Sequence, residues 1–314
     1  MEITAMKTTL LIAAMTFLLT GCGTLFDGAA FRQKDGQVAA SIGEIESGYT
    51  YIPVDPFPVD TKLTGACKDL KVDSSVALLE SLPDNAVRML VEQFDRSGGV
   101  TYGASKAAVK GGTYRVTVDY INADTINVPV EIRKLMRKAG ENDYIEVSLF
   151  ATEFSGLTPG TERYEVRRLS STKGVGGFVF NIPVYVGVGL RVSSSVFAVE
   201  ANVNISGIGV IGAEAEANRL RGSLIVQTLG VNGKSVAAAL PIQSELNRTT
   251  AQNAIVAVGS IKALLYAPET ITSPRVVGLY LPFPGGKALV NALISELSKE
   301  RVEWNRSCPA KAPA

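Results

Sequence analysis

The sequence predicts an α+β fold: an antiparallel β-sheet-rich domain with three or more amphipathic helices packed on it. Three observations carry that expectation. Residues 184–205, VYVGVGLRVSSSVFAVEANVNI, alternate apolar and other side chains in two arms, the period of a strand with one apolar face. Residues 254–265 and 290–297 instead space their apolar side chains three and four apart, as a helix lying on a core does. Hydrophobic residues make up 46% and charged residues 19% of 314, enough apolar material for one large domain.

The N-terminus comes first in order. Met6 and Lys7 open a positive region, and residues 9–19, TLLIAAMTFLL, form an apolar run. At about 11 residues the run is too short for a spanning helix, which needs roughly 20. Leu19-Thr20-Gly21-Cys22 follows at once. These parts, in this order and spacing, resemble the lipobox signal of bacterial lipoproteins. The resemblance implies a signal peptide over 1–21, diacylglycerol on the Cys22 thiol and an acyl chain on its new amine. Each buried methylene contributes about 0.8 kcal/mol, so several chains make a lasting anchor. Gly23 stands where an Asp would resemble an inner-membrane retention signal, so the expected address is the outer membrane, facing the periplasm. Residues 22–50 then read as lipidated cysteine and tether, and 51–314 as a single periplasmic domain. In that oxidising compartment the two remaining cysteines, Cys67 and Cys308, most simply form a disulfide; the alternative is two separate buried thiols. In the entropic model, closing a loop of about 240 residues restricts the unfolded chain by roughly 4–5 kcal/mol.

Residues 49–59, with three prolines, predict an extended segment laid over the domain. Pro83-Asp84 predicts a helix start, with Val87, Leu90, Val91 and Phe94 as its stripe and Gly98-Gly99 as its end. Residues 113–121, 144–154 and 163–170 read as strands. Asn127-Val-Pro-Val and Asn181-Ile-Pro-Val echo each other, and each proline marks a strand start or edge. Residues 184–205 read as a hairpin turning at Ser194-Ser195, which would set Val192 against Phe197 and Val184 against Ile205. Residues 207–217 are small and apolar with no clear period. Asn232-Gly233 predicts a type I′ turn between strands 221–231 and 234–242. A helix capped by Thr249 or Thr250 follows, with Ala254, Val258, Ile261 and Leu265 inward. Then come a strand over 275–281, a helix burying Val290, Leu293, Ile294 and Leu297, and a frayed tail from Cys308.

The chemistry is bounded mostly by exclusion. The chain has no histidine, which removes His-based triads, bases and metal sites. Ser170-Ser-Thr-Lys173 and Gly103-Ala-Ser-Lys-Ala107 lack the partner motifs that would make them nucleophile sites. No phosphate-binding loop is present, no cofactor is expected, and a net charge of +1 gives no basis for nucleic-acid binding. Glu214 and Glu216 are a carboxylate pair with nothing to place them in a cleft. Arg133, Lys134, Arg137 and Lys138 form a basic cluster at helix-like spacing, either a solvated face or a contact surface for lipid phosphates or an acidic partner. The expectation is a non-catalytic binding or scaffold component of the envelope, held to lipid through Cys22 and meeting envelope proteins. One alternative is an oligomeric outer-membrane channel subunit that donates the 184–205 hairpin to a shared barrel, an architecture similar to the curli secretion channel. An envelope enzyme using carboxylates is a second alternative.

Overall fold

The computed structural model describes residues 50–65, 84–94, 100–103, 108–109, 112–149, 155–169, 178–200, 202–232, 244–267, 270–281 and 286–308, with a few isolated positions between them. Cys22, Cys67, Ser105 and the Ser170–Lys173 motif lie outside the described residues, as does the side chain of Cys308. The expected α+β balance is corrected: strands dominate, and among the described residues only three helices accompany a large mixed sheet.

Two long strands form the spine. β5 (Gly112–Arg137) runs 26 residues and β8 (Phe178–Ala198) runs 21. They pair antiparallel without a break from Gly112↔Ala198 to Ile132↔Phe178, a ribbon about 70 Å long at ~3.4 Å per residue. The two Asn-x-Pro-Val echoes lie against each other in this ladder, Asn127 opposite Pro183 and Pro129 opposite Asn181. They are therefore not at strand starts. Leu169 N donates to Pro129 O, so Pro129 turns its backbone polar groups away from β8. The missing N–H costs no bond of the central ladder.

The predicted hairpin does not form. β8 passes straight through Ser194 and Ser195, and its second neighbour is β10 (Leu220–Leu229), paired from Leu220↔Ala198 to Leu229↔Gly189. Ser194 is fully buried and donates its hydroxyl to Ser223 O, so a polar residue here sits inside a sheet. Even-numbered residues continue on one face through Val196 and Ala198, while Phe197 and Val199 are exposed. From Val184 to Val192 both faces of β8 are buried, as expected of a central strand.

The predicted helix at residue 84 is strand β2 (Asp84–Phe94), paired with β5 along its whole length and with β3 (Val100–Gly103) on its other side. Farther along, β7 (Arg163–Arg168) pairs with β5, and β6 (Tyr144–Val147) takes only the start of the long strand predicted there. β14 (Arg275–Leu281) pairs with β8 from residue 184 to 187, β1 (Thr50–Gly65) pairs with β14, and β15 (Val302–Cys308) lies parallel to β1. β15 occupies residues to which the sequence assigned no element, and the frayed tail expected beyond Cys308 lies outside the described residues. Its Trp304 is fully buried and donates Nε1 to Asp124 on β5 at 3.0 Å. That bond joins strands four places apart in the sheet order, so the sheet curls over its own core.

The first arm of the Asn232-Gly233 hairpin is corrected as well, while Gly233 and the second arm, 234–242, lie outside the described residues apart from Val236. β10 ends at Leu229, Gly230 takes a φ of 63°, and β11 (Val231–Asn232) pairs instead with β13 (Ile271–Thr272). Helices α1 (Ile208–Glu216), α2 (Arg248–Leu264) and α3 (Gly286–Lys299) complete the body. Asn247, rather than Thr249 or Thr250, caps α2 through a reciprocal pair of bonds with Thr250. Gly212 lets α1 approach α2, since a Cβ there would stand 2.5 Å from that of Ala251. Helix α3 buries Leu289, Val290, Leu293 and Leu297.

Candidate functional site

Two arrangements of buried charge stand out, and they differ in access to solvent. In the first, Asp119 of β5 is directly across from Arg191 of β8, each a lone charge in an apolar run. Asp119 is wholly buried and accepts Arg191 Nε at 2.7 Å, Arg191 Nη2 at 2.7 Å and the Tyr51 hydroxyl at 2.6 Å. Arg191 also donates to Val54 O and Val277 O, both at 2.8 Å. One ion pair thereby ties β1, β5, β8 and β14. Burial pushes the Tyr51 hydroxyl well above its ordinary pKa, and the Asp119 charge adds to that. Burial alone would lower Arg191, but its bonds to Asp119 outweigh this and hold the guanidinium above its usual value. The rings of Tyr51, Tyr185 and Tyr280 pack edge to face over this centre at 5.3–6.1 Å, and Arg88 lies 5.3 Å from the Tyr185 ring centroid. Gly278 makes room for Tyr51, because a Cβ there would run into the ring. With its donors and acceptors turned inward, this centre is a clamp.

The second arrangement faces a cleft of about 540 Å³, lined by Glu131, Arg133, Glu165, Val166, Arg167, Glu296 and Lys299. Alternation along β5 and β7 builds it. Glu131 is opposite Arg167, and Arg133 is opposite Glu165, so charges of opposite sign form a two-by-two lattice on one face. Glu131 is only 3% exposed. Its Oε1 accepts Nε and Nη2 of Arg133 at 3.2 and 3.0 Å, and its Oε2 accepts Nε and Nη2 of Arg167 at 3.0 and 2.7 Å. Each arginine turns its Nε–Nη2 edge to a single carboxylate oxygen, so Glu131 takes four charge-assisted bonds in all. The bonds from Glu131 hold Arg133 above its ordinary pKa.

Helix α3 forms the other wall. Glu296 accepts the backbone N–H of Arg168 at 2.9 Å and the Lys299 ammonium at 2.6 Å, while Arg168 Nη1 donates to Glu300 O beyond the helix end. Glu296 thus covers a free edge of β7, and Arg168 meets a carbonyl at the negative end of α3. Burial pushes Glu296 up, and the bonds from Lys299 and Arg168 more than reverse this, leaving it below its usual value.

The predicted basic cluster is not one surface. It lies on and just beyond a strand, so period two sends Arg133 and Arg137 to one face and Lys134, only 6% exposed, to the other. Lys138 lies past the end of β5 and pairs with Glu141 at 3.6 Å. Only Arg133 belongs to the cleft. Glu214 and Glu216 share α1 but face different partners: Glu214 pairs with Arg219 at 2.9 Å, and Glu216 with Arg248 at 3.4 Å. The sequence reading missed Glu131, Glu165 and Arg167. Their signal was present in the alternating charges of Arg-Tyr-Glu-Val-Arg, residues 163–167, and in Glu131-Ile-Arg133. Among the described residues no cluster of acidic or thiol side chains could hold a metal, and no helix is long and apolar enough to cross a membrane. No protein-family model, curated protein or solved structure matches the chain.

Proposed function

We propose that this chain is a lipoprotein anchored to the outer membrane through Cys22, with a periplasm-facing body that acts as a non-catalytic binding or scaffold component of the envelope. The observation that carries the reading is the ordered run of positive residue, apolar stretch and Leu19-Thr20-Gly21-Cys22. The chain from Cys22 to Thr50 spans at most about 100 Å, which sets how far the body can stand from the lipid. The non-catalytic part draws support from the use made of the deepest carboxylates. Asp119 is held by a bidentate arginine, and each oxygen of Glu131 accepts two donors from one arginine. Glu296 is shifted down, whereas a carboxyl serving as a general acid needs the opposite shift. The channel alternative relied on a free 184–205 hairpin, whereas residues 184–198 of it run as one strand through the centre of the sheet.

Substituting Cys22→Ser and fractionating the cells tests the proposal. The unsubstituted chain is expected in the outer-membrane pellet, and C22S is expected to lose that location. If the unsubstituted chain were found at full length in the soluble fraction, the proposal would fall.

A further inference from the structure

We propose that the cleft between α3 and the β5–β7 face binds a small zwitterion: a phosphate or carboxylate bearing a primary ammonium a few bonds away. This deepens the binding role proposed above and rests on it only for the setting in which the ligand is met.

Each of Arg133 and Arg167 spends Nε and Nη2 on Glu131. The Nη1 end of each makes no hydrogen bond among the described residues, and the two side chains remain 39% and 61% exposed. Two guanidinium ends are therefore presented to solvent already fixed in place, so little side-chain freedom remains to be lost on binding. Glu131 neutralises one of the two positive charges, and Glu296 answers Lys299. With Glu165 counted, two arginines and two carboxylates leave the lattice neutral overall, matching a ligand that carries one charge of each sign.

Glu165 completes the arrangement. It is exposed, lies across from Arg133, and makes no hydrogen bond or ion pair among the described residues, although Arg133 is beside it. A carboxylate left open next to a guanidinium pair is a receptor for an ammonium beside an anion. A charge lattice that served only to fasten β7 to β5 would account for Glu131. It would not require the two open guanidinium ends or an unengaged Glu165.

The test is calorimetry on the full chain in a nonionic detergent. The probes are O-phosphoethanolamine, β-alanine, inorganic phosphate, acetate and phosphocholine; the last keeps both charges but has no ammonium N–H. At least one primary-ammonium zwitterion is expected to bind saturably, about tenfold more tightly than its simple anion, with phosphocholine weaker than O-phosphoethanolamine. Glu165→Gln, at an exposed side chain with no hydrogen bond or ion pair among the described residues, is expected to erase that preference while leaving the affinity for the simple anion in place. Arg167→Lys is expected to weaken zwitterion and anion together. Flotation of C22S with phosphatidylethanolamine or phosphatidylcholine vesicles then separates a lipid headgroup from a free ligand, and either source agrees with the proposal. The proposal is overturned if no zwitterion exceeds its simple anion, or if Glu165→Gln leaves the preference unchanged. Such a result would not touch the anchor, which the Cys22 fractionation tests separately.

Discussion

Removing one partner of the Asp119–Arg191 pair is the sharpest test of how this sheet is held. Asp119 has no solvent exposure and Arg191 only 6%, and five hydrogen bonds converge on the pair. Asp119→Leu leaves a buried guanidinium with two carbonyls as its partners. Arg191→Met leaves a buried carboxylate with only the Tyr51 hydroxyl. Either change is expected to cost about 3–5 kcal/mol, because the remaining charge loses its counter-charge without gaining water. Against a total stability of about 5–15 kcal/mol that is a large fraction. At about 2–4 °C per kcal/mol it corresponds to a Tm lower by roughly 6–20 °C. The double variant Asp119→Leu/Arg191→Met removes both desolvation penalties and fills the space with apolar atoms. It is expected to recover most of the loss, so the two single effects do not add. Urea unfolding of the four proteins gives the cycle directly. A single variant costing under about 1 kcal/mol, or a double variant as damaged as the sum of the singles, would refute the reasoning.

Three further outcomes follow from neighbouring groups. Tyr51 is raised well above its ordinary pKa, and a group that binds its proton more tightly when folded contributes stability below its unfolded value of about 10 and loses it as pH rises toward the folded value. Unfolding free energy is therefore expected to fall above about pH 10, with Tyr51→Phe less stable at pH 8 by about 1–3 kcal/mol and flatter in alkali. Glu296 is lowered, so its contribution is fully present above about pH 4.5 and is lost as pH falls from there through its lower folded value; Glu296→Gln is expected to flatten the acid limb in the same assay. Gly278→Ala drives a methyl into the Tyr51 ring and is expected to cost about 1–3 kcal/mol by urea unfolding, whereas alanine at exposed Gly259, with open space around it, is tolerated.

The particular misreadings have physical causes. Leu90 and Val91 are adjacent and both buried, because β2 is covered on both faces there. Adjacent apolar residues next to others three apart imitate a helical stripe, and residues 87–94 read that way. In β8 the serines at 194 and 195 looked like a turn because polar residues inside a strand usually mean its end. Ser194 avoids that penalty by bonding to Ser223 O, a partner 29 residues away that local pattern cannot reveal. The parts that were legible depend on near neighbours: the apolar spacing of α2 and α3, the alternation in β7, the short apolar run of β14, and the extended proline-rich start of β1. The Asp119–Arg191 pair spans 72 residues, so its two lone charges were visible but their pairing was not. The cleft fared similarly. Arg133 was noticed as one of four basic residues, yet only strand period and the register of β7 select it and bring Glu131, Glu165 and Arg167 around it.

Intact-mass and N-terminal peptide analysis of the chain purified from membranes tests the proposed anchor. The mature chain is expected to begin at Cys22 and to carry the mass of a diacylglycerol and an amide-linked acyl chain. A purified chain that still holds residues before Cys22, with an unmodified thiol, would contradict it.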